Sequence, residues 1–324
     1  MKIGFCYDTK SDYGLEESNL EYTDFVSLHT VSEIAKAIER CGYEVGYIGN
    51  AQKLNDLINT SRFPYDMIFN IAEGFGSRNR ETFVPGLAEL HQIPCTASDV
   101  YGMAINMNKY HTKILVRSLG IPTPKEVYFT SLDSSVLQAV RELGYPFVLK
   151  PNGEGGSMGL SLIQTEEEFI QKATTLIEQY TFDLLAEEYI EGSEVTVPII
   201  GNRSSAQALG VVTILNEDLS DISLYDNTLK YNDNVINSID FQYSDTVRQN
   251  LLNYSTRIHR FFDLRDYSRM DFRIRPDGSI YFLEINAMPS LCRGCSFEQC
   301  GKAMGLEYHE IIGKIIDAAR QRYA

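Results

Sequence analysis

Phe147-Val148-Leu149-Lys150-Pro151-Asn152-Gly153-Glu154-Gly155-Gly156-Ser157-Met158-Gly159 is the stretch on which the reading of this chain turns. An apolar strand delivers a lysine, and four glycines then fall within seven residues. Glycine lets backbone N–H groups approach and wrap phosphate oxygens, and a lysine adds a point charge. The order does not suit G-x-x-x-x-G-K-[ST], because the lysine precedes the glycines. It does not suit G-x-G-x-x-G opening a helix either, since the residues after Gly159 read as another strand. Two readings stay open on this stretch alone: a loop that covers phosphate, and a flexible turn.

A second signal lies downstream. Arg269-Met270-Asp271 is followed, thirteen residues on, by Glu284-Ile285-Asn286. Alternate residues of a strand face one side. Arg269 and Asp271 therefore share one face of a first strand, and Glu284 and Asn286 one face of a second. The turn Arg275-Pro276-Asp277-Gly278 joins them, with Pro presetting φ and Gly allowing φ > 0. The intervening Met270, Phe272, Phe282, Leu283 and Ile285 are apolar, so the polar residues form the anomalous face of a buried hairpin. Asp, Glu and Asn are hard oxygen donors suited to Mg²⁺, which is held by few carboxylates plus substrate phosphates. The alternative is an exposed polar face with surface pairing.

The rest of the chain supplies a frame. Lys2–Tyr7, Glu44–Ile48 and Tyr65–Ile71 read as strands, with helical spacing in Ser32–Arg40, Leu54–Ile58 and Phe83–His91. This βαβα rhythm predicts a parallel sheet. Helices are predicted at Lys109–Leu119, Ser134–Leu143, Glu166–Glu178, Asp245–Phe262 and His309–Arg322. Strands are predicted at Val127–Phe129, Leu160–Ile163, Leu184–Tyr189, Glu194–Ile200 and Gln207–Thr213. Asn216–Ser238 is polar and aperiodic and reads as a loop.

The chain has 324 residues and a formal net charge of −15, with a pI near 4.8. That balance argues against a nucleic-acid binder, which needs clustered Lys and Arg. No apolar run approaches a membrane span, and residues 1–8 lack a signal-peptide core. The expected compartment is the cytoplasm, where the six cysteines are thiols rather than a disulfide framework.

In this order, the segments resemble the ATP-grasp superfamily, and within it the D-alanine–D-alanine ligase group. The ordered set is Lys109, the Lys150 strand with its glycine loop, Glu187–Glu194, Lys230-Tyr231, Arg269-x-Asp271 and Glu284-Ile285-Asn286 with Pro289. The resemblance implies an α/β fold, α+β in its C-terminal part, in three domains: an N-terminal parallel-sheet domain (1–103), a central glycine-loop domain (104–190) and a C-terminal mixed-sheet domain (191–324). It implies ATP as co-substrate with two Mg²⁺ ions (Mn²⁺ as a substitute) on Asp271, Glu284 and Asn286. Lys109, Lys150 and Lys230 would contact phosphates under a loop that includes Gly156 and Ser157. Glu187, Glu188 and Ile190 would border the adenine, and Glu194 the ribose. Arg269, with the backbone near Ser290, would face the tetrahedral intermediate.

The implied activity is ATP-dependent joining of a carboxylate to an amine through an acyl phosphate, on small amino-acid or peptide substrates. The family is often dimeric. Asp24, Glu73, Arg293 and Ser296 are the substrate candidates, with Tyr231 beside them. The chain departs from the family at three points: a longer polar insertion follows Tyr7-Asp8-Thr9-Lys10, Gly156 stands where a serine is usual, and Ser290–Phe297 is longer than the usual turn. These departures bear on substrate, so a ligase with non-alanine substrates and a silent ATP-binding regulator stay as alternatives. Cys292, Cys295 and Cys300 with His309 are an incomplete zinc pattern, read here as thiols near the acceptor pocket.

Overall fold

The computed structural model describes residues 1–16, 24–60, 62–179, 183–224 and 235–323. The first layer runs β1 (Lys2–Tyr7), α1 (Leu28–Arg40), β2 (Glu44–Gly49), α2 (Ala51–Thr60), β3 (Met67–Ile71), α3 (Phe83–Leu90) and α4 (Val100–Asn106). Its strands are parallel in the order β2-β1-β3. β3 is buried along its whole length, as a strand covered on both faces must be. α1 starts four residues earlier than its apolar spacing suggested, because Ser27 accepts the Thr30 N–H at 3.1 Å and caps it.

The central part holds α5 (Lys109–Ser118), β4 (Glu126–Phe129), α6 (Ser134–Leu143), β5 (Phe147–Pro151), β6 (Ser161–Ile163), α7 (Glu166–Gln179) and β7 (Leu184–Glu188). Its strands pair antiparallel in the order β4-β7-β5-β6. Phe129, Phe147, Leu149, Phe169 and Leu184 form a core of their own.

The last part contains β8 (Ser193–Ile200), β9 (Gln207–Ala208), β10 (Val212–Asn216), β11 (Val235–Ser238), α8 (Asp245–Phe261), β12 (Tyr267–Ile274), β13 (Ile280–Asn286), α9 (Ser296–Ala303) and α10 (Tyr308–Arg322). The order is β11-β10-β8-β12-β13, with β9 beside β8. Every pairing among the described residues of this sheet is antiparallel, so it is not the mixed sheet the resemblance implied. The strand expected over Gln207–Thr213 breaks at Leu209–Val211, where Gly210 lies so close to the Cys300 side chain that an added Cβ would come within 3.0 Å of its sulfur. Part of the loop expected over Asn216–Ser238 is strand β11.

α1 packs against α10. Ile34 and Ile38 of one and Ile311, Ile312 and Ile315 of the other belong to one buried cluster with the strands of the first and last sheets. The outer two parts thus share a core, which Val116 of α5 and Ile121 join, while the central sheet with α6 and α7 has a core of its own. No helix among the described residues is long and apolar enough to cross a membrane.

Candidate active site

β5 and the β12–β13 hairpin meet across a cleft. Lys109, Lys150, Gly156, Ser157, Glu187, Glu188, Ile190, Glu194, Arg269, Asp271 and Glu284 all line one narrow space of about 100 Å³, with Val148, Met158, Leu160 and Leu283 supplying an apolar wall. A wider cavity of about 730 Å³ adjoins it, walled by Asp24, Glu73, Asn286, Ser290, Arg293 and Ser296. Lys109, Glu154, Gly155, Gly156, Glu194, Arg269, Asp271 and Glu284 belong to both spaces and form the neck between them.

The hairpin is registered as its alternation predicted. Asp271 faces Glu284, and Arg269 faces Asn286, with a bulge after Asp271 that lets Phe272 pair with Phe282. Arg269 donates Nε and Nη2 to the two oxygens of Asp271 at 2.9 and 2.8 Å. Asn286 Nδ2 donates to Asp271 Oδ2 at 2.9 Å, and Thr196 Oγ donates to Oδ1 at 2.6 Å. Glu284 lies 3.6 Å from Lys109 Nζ. Two carboxylates at the neck, with the Asn286 amide beside them on the wide-cavity wall, are a hard-oxygen set that fits Mg²⁺ shared with phosphates.

The lysines are fixed from behind. Lys150 Nζ sits 2.9 Å from Glu187 Oε2, and Lys113 Nζ sits 3.1 Å from Oε1. Burial opposes the Lys150 ammonium, but Glu187 and Glu284 more than offset it and hold its pKa above the ordinary value. Burial dominates at Lys113 and lowers its pKa to about 8. Burial also opposes the Glu187 carboxylate, yet the two lysines outweigh it and hold that pKa low. Glu187 therefore lines the cleft with its carboxylate engaged by two ammonium groups. Lys113, four residues after Lys109 on an ordinary-looking helix, was not singled out by sequence; only its i, i+4 position offered a signal.

Lys109 opens α5 and donates Nζ to the Glu154 carbonyl at 2.5 Å, tying that helix to the glycine loop. Gly156 and Ser157 both have φ of +61°, a left-handed region that Ser occupies at a cost. Glu188 pairs with Arg275 at 2.6 Å. The Ile190 carbonyl accepts Arg273 Nη1 at 2.9 Å, and the same guanidinium lies 3.3 Å from Glu194. Arg273 thus holds both expected nucleotide-edge positions, and it too escaped the sequence reading. Burial raises the Glu194 pKa, with Arg273 pulling it down and Asp271 pushing it up.

Asp24 and Glu73 share the cavity wall with Glu81. Burial, then Glu81 and Asp24, raise the Glu73 pKa well above the usual carboxyl range. Burial pushes Glu81 up to about 7, against Arg80. Arg80 pairs with Glu154 at 3.3 Å and donates to the Gly153 carbonyl, bridging the first layer to the glycine loop. The Arg293 guanidinium is held by Glu298 at 2.8 Å and lies over the Tyr308 ring. The Ser290 Oγ accepts the Cys292 N–H at 3.3 Å, and Ser296 opens α9. Lys230 and Tyr231 lie outside the described residues. Cys292, Cys295, Cys300 and His309 form no metal cage, and no group of three or more His, Cys, Asp or Glu among the described residues does.

This arrangement coincides with known proteins. The family profile described as D-ala D-ala ligase C-terminus matches residues 115–317. A D-alanine–D-alanine ligase of Aquifex aeolicus is 31% identical over 291 residues, which is 90% of this chain and 94% of the relative. The chain belongs to the D-alanine–D-alanine ligase family. It is accordingly an ATP-dependent ligase that forms a C–N bond. The family's three-part fold is shared by the Bacillus anthracis D-alanine–D-alanine ligase complexed with ATP, at a TM-score of 0.76, 20% identity and coverage of 99% of this chain and 97% of that one. The VanG D-Ala:D-Ser ligase of Enterococcus faecalis matches at a TM-score of 0.77 and 20% identity over 98% and 99% of the chains. Within the family fold, the neck between the narrow cleft and the wide cavity is the candidate centre of the chemistry.

Proposed function

We propose that the protein activates the carboxyl group of one small amino acid with ATP and joins it to the amine of a second, as the D-alanine–D-alanine ligases in its family do by name. The observation that carries this reading is the neck, where Lys109, Arg269, Asp271 and Glu284 border both the narrow cleft and the wide cavity. A triphosphate in the first would meet a carboxylate from the second only there.

The proposed chemistry has two steps. A carboxylate oxygen attacks the γ-phosphorus, and the P–O bond to ADP breaks, giving an acyl phosphate. The amine nitrogen of the acceptor then attacks the acyl carbon, loses a proton, and phosphate leaves with its bonding pair. Both steps gather anions in a small volume, so fixed positive charge lowers their barriers. Lys150 and Lys109 would neutralise phosphate oxygens, and backbone N–H groups at Gly156 and Ser157 would cover them. Arg269, pinned by Asp271, would face the oxyanion of the second step, with the backbone near Ser290. Asp271, Glu284 and Asn286 would hold Mg²⁺, which supplies charge neutralisation for the phosphates. Glu188, Ile190 and Glu194 would border the nucleoside. Asp24 and Glu73 would receive the first ammonium, and Ser296 the acceptor end, while Lys230 and Tyr231 remain candidates for the γ-phosphate and the substrate. The three sheets support domains at 1–103, 104–190 and 191–324. The family pattern supports a cytoplasmic homodimer.

The test is phosphate release from ATP across D- and L-amino acids, singly and in pairs, with product masses. Release that requires two amino acids and yields their condensed mass is the expected result. ATP binding with no release on any pair would favour a silent regulator.

A further inference from the structure

The geometry points to Cys292 and Cys295 as an oxidisable dithiol on the acceptor wall of the wide cavity, closed to a disulfide by a small-molecule disulfide and reopened by a thiol. Neither cysteine has a role in the ligation chemistry, yet the two are arranged as a pair. The Cys295 N–H donates to the Cys292 carbonyl at 3.3 Å and closes a four-residue turn, with Gly294 at φ +81°. Such a turn holds its end Cα atoms under about 7 Å apart, inside the reach of a disulfide. Contact with Cys292, then burial, hold the Cys295 thiol well above its ordinary pKa. Cys295 is the N-cap of α9.

Place in the cavity separates this pair from the others, since Cys41 is also partly buried but does not line it. Cys292 and Cys295 are only partly buried and both line the cavity, whereas Cys6, Cys95 and Cys300 are buried. The exchange balances without further reagents. One thiolate attacks a sulfur of the small disulfide and expels a thiol, forming a mixed disulfide; the second thiolate attacks the protein sulfur and expels the other thiol. Two protons and two electrons pass from the protein dithiol to the reagent.

The turn is wired to the acceptor wall, so closure would be felt there. The Cys292 N–H donates to Ser290 Oγ, the Gly294 N–H donates to Glu298, and Glu298 in turn holds Arg293. Drawing the two sulfurs into bonding distance therefore tugs Ser290 and Arg293, and leaves the nucleotide cleft on the far side of the neck alone. The effect on turnover rests on the ligase reading given above; the disulfide itself does not.

The full chain would be incubated with oxidised glutathione or with dithiothreitol, then digested under acid quench and mapped by mass. The expected result is the loss of two hydrogen masses on the peptide joining Cys292 to Cys295. Alongside it, kcat/KM for the acceptor falls by roughly ten- to a hundredfold, the cost of misplacing a binding group by a fraction of an ångström to an ångström. ATP affinity stays unchanged, and dithiothreitol restores activity. Cys300→Ser should respond to oxidant as the parent does, and the double substitution Cys292→Ser with Cys295→Ser should not respond. If the double variant fails to fold, the parent's peptide map still decides. Glutathione adducts without the internal crosslink would overturn the proposal, as would a crosslink that leaves acceptor kinetics untouched. A crosslink in a protein that condenses no amino acids in either state would keep the dithiol and count against the ligase reading.

Discussion

Lys113 has no exposed surface, and its ammonium is satisfied by Glu187 at 3.1 Å. Removing one member of a buried ion pair strands the other, which costs more than the pair contributes. Lys113→Met should therefore lower unfolding stability by about 3 kcal/mol, read from urea midpoints at constant m. It should also raise KM for ATP, because Glu187 would then pull on Lys150 alone. A variant as stable as the parent would mean that Glu187 is not held from behind. At the neck the expectation is different in kind. Glu284→Gln keeps the shape and removes a charge, so kcat should fall by about a hundredfold or more while the melting temperature barely moves. Near-parental kcat in that variant would remove Glu284 from the metal-holding set.

Glu81 gives a pH signature at the same scale. Burial pushes its pKa up to about 7, Asp24 adds to the rise and Arg80 opposes it. In the unfolded chain a glutamate titrates near about 4.3. Between these values the folded chain holds a proton that the unfolded chain has released, so stability falls as pH rises through the window and stays lower above it. Glu81→Gln removes that loss. The variant should melt above the parent at about pH 8 and converge with it at about pH 4. A gap of the same size at both ends would show that the carboxyl is not titrating between them.

At the scale of elements, α6 was legible to the residue, since Asp133 caps it through the Ser135 and Val136 N–H groups and Gly144 ends it. The hairpin register was legible too, because alternation and turn chemistry agree. Two short helices were not. α4 and α9 span seven and eight residues, too few turns for periodicity to stand out, and Cys295 is a weak cap signal. Lys113 and Arg273 were invisible because a partner more than seventy residues away decides their role. The join between β7 and β8 carries a prediction. Gly192 has φ +132°, and a Cβ there would come within 2.0 Å of the Ile274 carbonyl oxygen, which is backbone and cannot give way. Gly192→Ala should cost about 1–3 kcal/mol and weaken ATP binding, since Ile190 and Glu194 flank it. Unchanged ATP affinity by titration calorimetry would separate this join from the nucleotide edge.

Over the whole molecule, the division of cores sets what can move. The first and last sheets are bound by α1 against α10, with Ile34, Ile38, Ile311, Ile312 and Ile315 in one cluster. The central sheet has a separate core, while Val116 of α5 and Ile121 after it join the outer cluster, and the sheet's contacts to the rest include the salt bridge from Arg80 to Glu154, the hydrogen bond from Lys109 to Glu154 and the ion pair of Lys113 with Glu187. Fewer buried apolar contacts across a boundary mean a smaller free energy of opening. The central sheet should therefore open as a unit with α6 and α7, hinged at residues 123–125 and 188–193, without unfolding the rest. Hydrogen exchange should find lower protection in β5, β6 and the glycine loop than in β1 or β12. Saturating Mg-ATP should raise protection in β5–β7 and in β12–β13 together, because ligand bound between two bodies couples them, and should leave α2 as it was. Arg80→Ala should shift the glycine loop toward faster exchange before nucleotide is added. Protection that rises on one side of the cleft alone would mean the nucleotide is held by a single sheet, and the neck would then lose its claim to be where phosphate meets carboxylate.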